Sequence, residues 1–346
     1  MRKVIAFALA ALMGACACGA ALANTTLVET GSTLMFPLMQ AWATEYARSH
    51  SSVQIETQGT GSAMGISQAI SGVVQIGASD AYLKDAAELS APMLNIPLAI
   101  SAQQVNYNLP GVGNASLNLS GPVLAGIYSG AIKYWDDAAI KGDNKGAKLP
   151  HNEIVPIHRA DGSGDTFLFT QYLSKSTPSW AAGPGFDTTV NWPSLASSQT
   201  ASGNKGMLQV CSGTPYSIAY IGISYLDEAK RAGLGVAALR NADGKFVEPN
   251  SKTVASAANA FEKKTPADER ISLVFAPGTQ SYPIVNYEYA IVNPKQVDSG
   301  TATELKKFLE WALSGGQNER FLGAVRFLPL PSTVVKLSRA QISKIQ

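Results

Sequence analysis

The sequence predicts an α/β protein of two domains, with sheets flanked by helices. Three observations lead there. Strand-like runs alternate with helical-period runs in the first part of the chain, joined by glycine and hydroxyl turns. The 346 residues exceed one comfortable core. Chemistry-bearing residues recur at strand ends and helix starts, where open α/β sheets hold their ligands.

The chain opens Met1-Arg2-Lys3, runs apolar through Cys18 and ends the stretch with Ala21-Leu22-Ala23. A charged start, an apolar middle and an A-x-A end make residues 1–23 a secretory leader, leaving a mature chain from about Asn24. The chain is therefore expected outside the cytoplasm. Met13-Gly14-Ala15-Cys16 distantly resembles a lipoprotein cleavage box, so a lipid anchor on Cys16 is the alternative.

Residues 26–30 read as a strand, and residues 36–46 as a helix with Phe36, Leu38, Met39, Trp42 and Tyr46 on one stripe, capped by Ser32 or Thr33. Residues 53–56 alternate as a second strand. Gly59-Thr60-Gly61-Ser62 turns the chain into a helix over 63–70. Residues 73–80 form a third strand with Asp80 at its carboxyl end. Residues 94–100 and 104–109 read as two further strands, and 120–129 as a helix. Residues 181–204, rich in Gly, Pro, Ser and Trp, read as surface loops with short helices. Residues 217–223, 235–239, 272–275 and 288–292 are strand candidates, and 303–313 an amphipathic helix.

Formal charge is +2, and loss of Arg2 and Lys3 leaves 25 basic against 25 acidic residues. No polyanion-binding surface is implied, and nucleic acid is not an expected partner. An anion would have to be caught by a local site. Cys16 and Cys18 leave with the leader, so Cys211 is the only cysteine of the mature chain and no intramolecular disulfide can form.

The most informative stretch is residues 158–169, HRADGSGDTFLF. A strand over 153–158 delivers Arg159 to a turn of Asp161, Gly162, Ser163 and Gly164, and an amphipathic helix follows from Thr166. A glycine turn at a helix start presents free N–H groups reinforced by the helix dipole. The stretch by itself is equally an ordinary helix capped by Asp161 or Ser163. Similar donors recur at Ser32-Thr33-Leu34 and at Gly61-Ser62. Arg159 adds a fork suited to a tetrahedral oxyanion. Asp80 discriminates: a carboxylate helps only if the anion carries a proton, as hydrogen phosphate does and sulfate does not. Asp165 is either a second such acceptor or a helix-start carboxylate favoured by the dipole. Asp161 is expected to orient Arg159.

Other chemistries fail on spacing. Gly59-x-Gly61 with Asp80 mimics a dinucleotide fingerprint, but the third glycine falls one place late, at Gly65. Asp161 stands where a nucleophile elbow at Ser163 needs glycine. His50, His151 and His158 lack metal spacing, and no Gly-Lys-Ser/Thr follows the glycines. The expected protein is not an enzyme and uses no cofactor or metal.

The motifs GSTL followed by FPL, then GTGSAMG, QIGASDAYL, YNLPGV, IYSGAIKYWDD, KLPHNEIVPIHRADGSGDTFLFTQYL and YPIVNYEYAIV extend over nearly the whole mature chain. In these motifs the chain resembles the periplasmic phosphate-binding proteins of high-affinity phosphate ABC transporters. That resemblance implies a flytrap of two α/β domains, residues 24–106 with 287–346 and residues 107–286. The chain would cross between them near Tyr107–Gly111 and near Pro283–Tyr287. It implies capture of inorganic phosphate and delivery to membrane permease subunits, by a protein expected to be monomeric. By position, Thr33 and Leu34 would donate through backbone N–H, and Ser62, Ser163 and Gly164 from helix starts. Asp80 would accept the phosphate proton and Arg159 would be the single cation. Two departures stand out: Leu34 where many members have phenylalanine, and Asp165 where many have threonine, which exchanges a hydroxyl donor for a charge. Alternatives are a binder of another oxyanion, arsenate or sulfate, and an adhesion protein reusing the fold.

Overall fold

The computed structural model describes residues 25–112 and 116–346. The leader assigned to residues 1–23, Cys16 included, lies outside the described residues. No helix among those described is long and apolar enough to cross a membrane.

Nine strands form one mixed sheet. In chain order they are β1 (Thr25–Gly31), β2 (Val53–Gly59), β3 (Ile76–Ser79), β4 (Leu94–Tyr107), β5 (Val155–Arg159), β6 (Gln199–Ala201), β7 (Ser217–Gly222), β8 (Gly235–Val236) and β9 (Val285–Val292). Their spatial order is β2-β1-β3-β9-β4-β7-β5-β6, with β8 on the side of β4. Strands β1, β2 and β3 run parallel, as do β6, β5 and β7. The two parallel groups are joined through antiparallel β9 and β4.

Strand β4 organises the molecule. All its residues are buried. From Leu94 to Ala102 it pairs with β9, and from Gln103 to Tyr107 with β7. The exchange of neighbours falls inside the strand. The sequence had suggested two strands with a break after Ile100. The polar run Ser101-Ala102-Gln103-Gln104 looks like a break, but its side chains are buried and its backbone stays in the ladder.

Eight helices of at least nine residues flank the sheet: α1 (Phe36–Ser49), α2 (Ser62–Ile70), α3 (Gly121–Ser129), α4 (Gly164–Ser176), α5 (Gly203–Gly213), α6 (Ser251–Asn259), α7 (Ser299–Ala312) and α8 (Ser332–Ile342). Helix α1 buries Leu38, Met39, Trp42 and Tyr46, the stripe read from the sequence. Tyr46 and Trp42 meet Trp311 edge-on. Burying several aromatic side chains in this way removes a large apolar area from water.

Four further local readings need correction. Helix α1 is not capped by Ser32 or Thr33; its N-cap is Met35, which makes no side-chain cap hydrogen bond. Strand β3 starts at Ile76, because residues 71–75 complete a turn after α2. Residues 272–275 are not a strand: Phe275 has φ +62°, which breaks extended pairing. Helix α4 is not amphipathic. Every residue from Gly164 to Leu173 is buried, because the helix lies inside the molecule.

Candidate functional site

The carboxyl ends of β1, β3 and β5 and the amino ends of α2, α4 and α5 converge on one buried point. Arg159 is the last residue of β5, and its side chain is 1% exposed. Its Nε donates to Asp161 Oδ1 at 2.7 Å and its Nη2 to Asp161 Oδ2, a bidentate pair. Nη1 donates to Asp165 Oδ2 at 2.8 Å. Asp161 therefore takes the orienting position expected for it. A guanidinium has five N–H donors. Three are engaged among the described residues, so two remain for a further partner.

The turn after Arg159 folds as its residues dictate. Ser163 is the N-cap of α4 and accepts from Thr166 N, while its own N–H donates to Thr188 O at 2.8 Å. Of the two candidate caps, Ser163 is the one used. Asp165 lies in the first turn of α4, and its carboxylate draws hydrogen bonds from other elements. It accepts from Arg159, from Gln103 Nε2 at 3.0 Å and from Asn204 Nδ2 at 2.6 Å.

Asp80 follows β3 and is 2% exposed. Ser32 Oγ donates to its Oδ1, and Ser62 Oγ to its Oδ2 at 3.4 Å. Gly164 is where the two halves touch. A Cβ there would lie 2.5 Å from Ser62 Oγ and would also strike the Asp80 carboxylate. Gly61, at φ +94°, is required twice over: by its left-handed backbone and by the close approach of Asp161 and Gly162. Ala63 N–H then donates across to Gly162 O at 3.1 Å.

Thr33 and Leu34 enter differently. Thr33 Oγ1 accepts from Asn204 N at 3.1 Å and Asn204 Nδ2 at 3.0 Å, which ties it to the Asp165 network. The Leu34 N–H donates to Ser32 Oγ at 3.1 Å, and the Leu34 side chain packs against Gly222. Ser62, Asp80 and Gly164 thus meet directly. Arg159, Asp165 and Thr33 are linked through hydrogen bonds, whereas the N–H groups of Leu34 and Ser163 have partners within the protein.

Three residues were missed by sequence reasoning. Gln103 and Asn204 hold Asp165, and Glu288 of β9 lies beside Asp80. Glu288 alone had a visible signal, a carboxylate inside the apolar run YEYAIV.

The charges are unbalanced. Burial, then the neighbouring Asp165 carboxylate, push Asp80 up to about 7, against the pull of Ser32, Glu288 and Arg159. Burial also raises Asp165, although Arg159, Gln103 and Asn204 favour its charged form. Asp161 is less enclosed; burial opposes its charge, but the Arg159 hydrogen bonds outweigh it and hold the carboxyl below its usual range. Burial works against the Arg159 cation too, yet Asp161 and Asp165 keep it firmly charged. The site is built to exchange hydrogen bonds with something that still carries protons.

Comparison with known proteins fixes the lineage. A family model described as a PBP superfamily domain matches residues 19–315. The Phosphate-binding protein PstS of Methanocaldococcus jannaschii is 35% identical over 93% of this chain and 87% of that protein. The chain belongs to the PstS phosphate-binding protein family. The Pasteurella multocida member is 32% identical over 91% of this chain and 89% of its own. Among solved structures, the phosphate-binding protein from Stenotrophomonas maltophilia superposes with a TM-score of 0.71 at 18% identity, covering 91% of this chain and 93% of that one. At that identity the likeness shows a shared fold, the two-lobed α/β architecture.

Proposed function

We propose that this PstS-family chain captures inorganic phosphate in the buried site around Arg159 and delivers it to the membrane permease subunits of an ABC importer. It would act outside the cytoplasm after loss of its leader, as a monomer. The carrying observation is the pairing of Arg159, with two free N–H donors, and Asp80, an acceptor buried in the same site. A cation alone would take any small oxyanion. A cation facing an acceptor selects one that is both charged and protonated.

In this reading Arg159, Ser62, Gly164, the Thr33 N–H and the Ser163 hydroxyl donate to phosphate oxygens, and the Leu34 N–H joins them by exchanging its Ser32 acceptor for the anion, while Asp80 and Asp165 accept its protons. The two lobes are residues 24–106 with 287–346 and residues 107–286, hinged about β4 and the start of β9. Domain closure would surround the anion in a dry site, where hydrogen bonds are strong and no covalent step is needed.

The test is calorimetric titration of the mature protein with phosphate and, in parallel, with sulfate. One-to-one phosphate binding without sulfate heat is the expected result. Sulfate binding of comparable strength would overturn the role given to Asp80. Absence of heat with either anion, on folded and ligand-stripped protein, would overturn the function.

A further inference from the structure

Asp80 can select a protonated anion only while it is itself an acceptor, and the residue beside it bears on that. We propose that Glu288 is a positioning residue for Asp80: as the neutral acid, it donates a hydrogen bond to the Asp80 carboxylate and so keeps Asp80 an acceptor toward the bound anion. This rests on the phosphate reading of the site.

The geometry comes from strand register. Antiparallel β9 places Tyr289 opposite Ser79 at the end of β3, so Glu288 and Asp80 are the residues that follow on the two chains. Glu288 is fully buried. Its Oε1 accepts from Asn286 Nδ2 at 3.1 Å and lies against Ser101 Oγ, whose single proton serves either Glu288 or Asn286 Oδ1, 2.7 Å away. Asn286 Nδ2 also reaches Asp80 O at 3.3 Å, which pins the two residues together. Its Oε2 finds no donor. A buried carboxylate oxygen without a donor is costly, and a carboxylic O–H aimed at a neighbouring carboxylate removes that cost.

The surrounding charges point the same way. Four carboxyl groups, Asp80, Asp161, Asp165 and Glu288, share one guanidinium, Arg159, and that guanidinium is paired with Asp161 and Asp165. Helix α2, packed against β9, has no titratable residue. On α6, also packed against β9, Lys252 is exposed. On β4 the facing residues are Ser101 and Ala99. No residue among those described supplies Glu288 with a cation, and burial followed by the Asp80 charge raises its carboxyl well above the ordinary range. Asp80 is itself raised, by burial and then by Asp165, and Ser32 and Glu288 are among the groups that pull it back toward the anion.

The experiment compares Glu288→Met, which removes the donor, with Glu288→Gln, whose amide restores it without a titrating proton. Phosphate and sulfate are titrated into each mature protein near neutral pH, with thermal melts alongside. In Glu288→Met, Asp80 holds its own proton more tightly, turns donor, and accepts sulfate. The preference for phosphate over sulfate should fall roughly ten- to hundredfold, the range expected for loss of a hydrogen bond to a charged group. Glu288→Gln should restore the preference. An unaltered preference in Glu288→Met, or an equal loss in Glu288→Gln, would overturn the proposal, since a purely structural role would move the melts and leave selectivity alone. A second measurement needs neither variant nor ligand: the side-chain carboxyl carbon of Glu288, followed by NMR against pH in the wild-type chain, should remain that of the neutral acid through neutrality. An ionised Glu288 there overturns the proposal. If the wild-type chain binds no phosphate, the functional reading fails separately, and this titration still decides the proton state.

Discussion

Asp165→Asn is the substitution that most sharply tests the electrostatics of the site. In the wild-type chain, Asp165 Oδ2 sits 2.8 Å from Arg159 Nη1. An anion bound to the remaining donors of the same guanidinium would lie about 5 Å from that carboxylate, where two unit charges repel by about 3 kcal/mol at an effective dielectric of about 20. That is roughly a hundredfold in affinity, an upper limit because a protonated phosphate oxygen can donate to the carboxylate and offset it. The balance therefore depends on pH. At about pH 6 phosphate is largely the monoanion, with protons for both Asp80 and Asp165. At about pH 8.5 it keeps one, and the second carboxylate faces a dianion. Removing the Asp165 charge also removes the second-largest cause of the raised Asp80 pKa, leaving Asp80 an acceptor over a wider range. Phosphate affinity of Asp165→Asn, measured by titration calorimetry, should exceed wild type by roughly ten- to hundredfold at the higher pH and approach it at the lower. The fold should tolerate the change. Gln103 Oε1 is without a partner, so its amide can rotate to accept from the new side chain. Equal weakening at both pH values would refute the charge argument and make Asp165 a hydrogen-bond contact only.

Three further outcomes are expected. Arg159→Lys should lower phosphate affinity by a factor of at least about 100, since one ammonium cannot serve Asp161, Asp165 and an anion together; retention of affinity in a titration would count against Arg159 as the site's cation. Gly164→Ala should weaken binding by about tenfold or more by driving a methyl group into Ser62 and Asp80, with a much smaller change in melting temperature because alanine favours the helix. Glu269→Gln should raise stability at alkaline pH. Burial pushes Glu269 up to about 9, against a pull from Ser338. A carboxyl raised in the folded state contributes fully below its unfolded pKa and loses that contribution as pH rises toward 9. The gain, at most about 5 kcal/mol at pH 8 by linkage (about 1.36 kcal/mol per unit over the roughly 3.7 units above an unfolded value of ~4.3), should therefore appear in melts at pH 8 and vanish below about pH 4.

Much of this architecture was legible because local pattern and tertiary role agree. The stripe of α1, the turn at Gly61 and the Arg159 turn each read the same way locally and in place. Legibility failed where tertiary contacts override propensity. Helix α5 begins Gly203-Asn204-Lys205-Gly206, a poor helical start, and is held by Asn204, which reaches Thr33, Asp165 and the Gly222 N–H. Helix α6 buries only Thr253, Val254, Ala257 and Ala258, too weak an apolar stripe to notice, although Asn250 and Thr253 form a reciprocal capping box that could have marked it. Strand β4 was split because Ser101, Gln103 and Gln104 look like loop residues. Ser101 finds its partners in Asn286 and Glu288, and Gln103 in Asp165, none of them near in sequence.

The same long-range contacts explain how a chain of formal net charge only +2 could hold an anion selectively. Arg159 is not a surplus cation. Asp161 and Asp165 already match it, and Asp80 and Glu288 add two more carboxyl groups to the buried cluster. A site of this composition gains little from long-range attraction and cannot rank anions by charge. What it can rank is the number of protons an oxyanion brings, because each acceptor left unmatched inside a dry site costs more than a screened surface charge would. In the proposed site sulfate would meet Asp80 with lone pairs against lone pairs, whereas hydrogen phosphate would meet it with a donor. Discrimination by hydrogen-bond complementarity survives high salt, which discrimination by field does not. Phosphate affinity of the wild-type chain should therefore change by less than about threefold between low and high sodium chloride, and a steep salt dependence in the same titration would return the selectivity to electrostatic attraction.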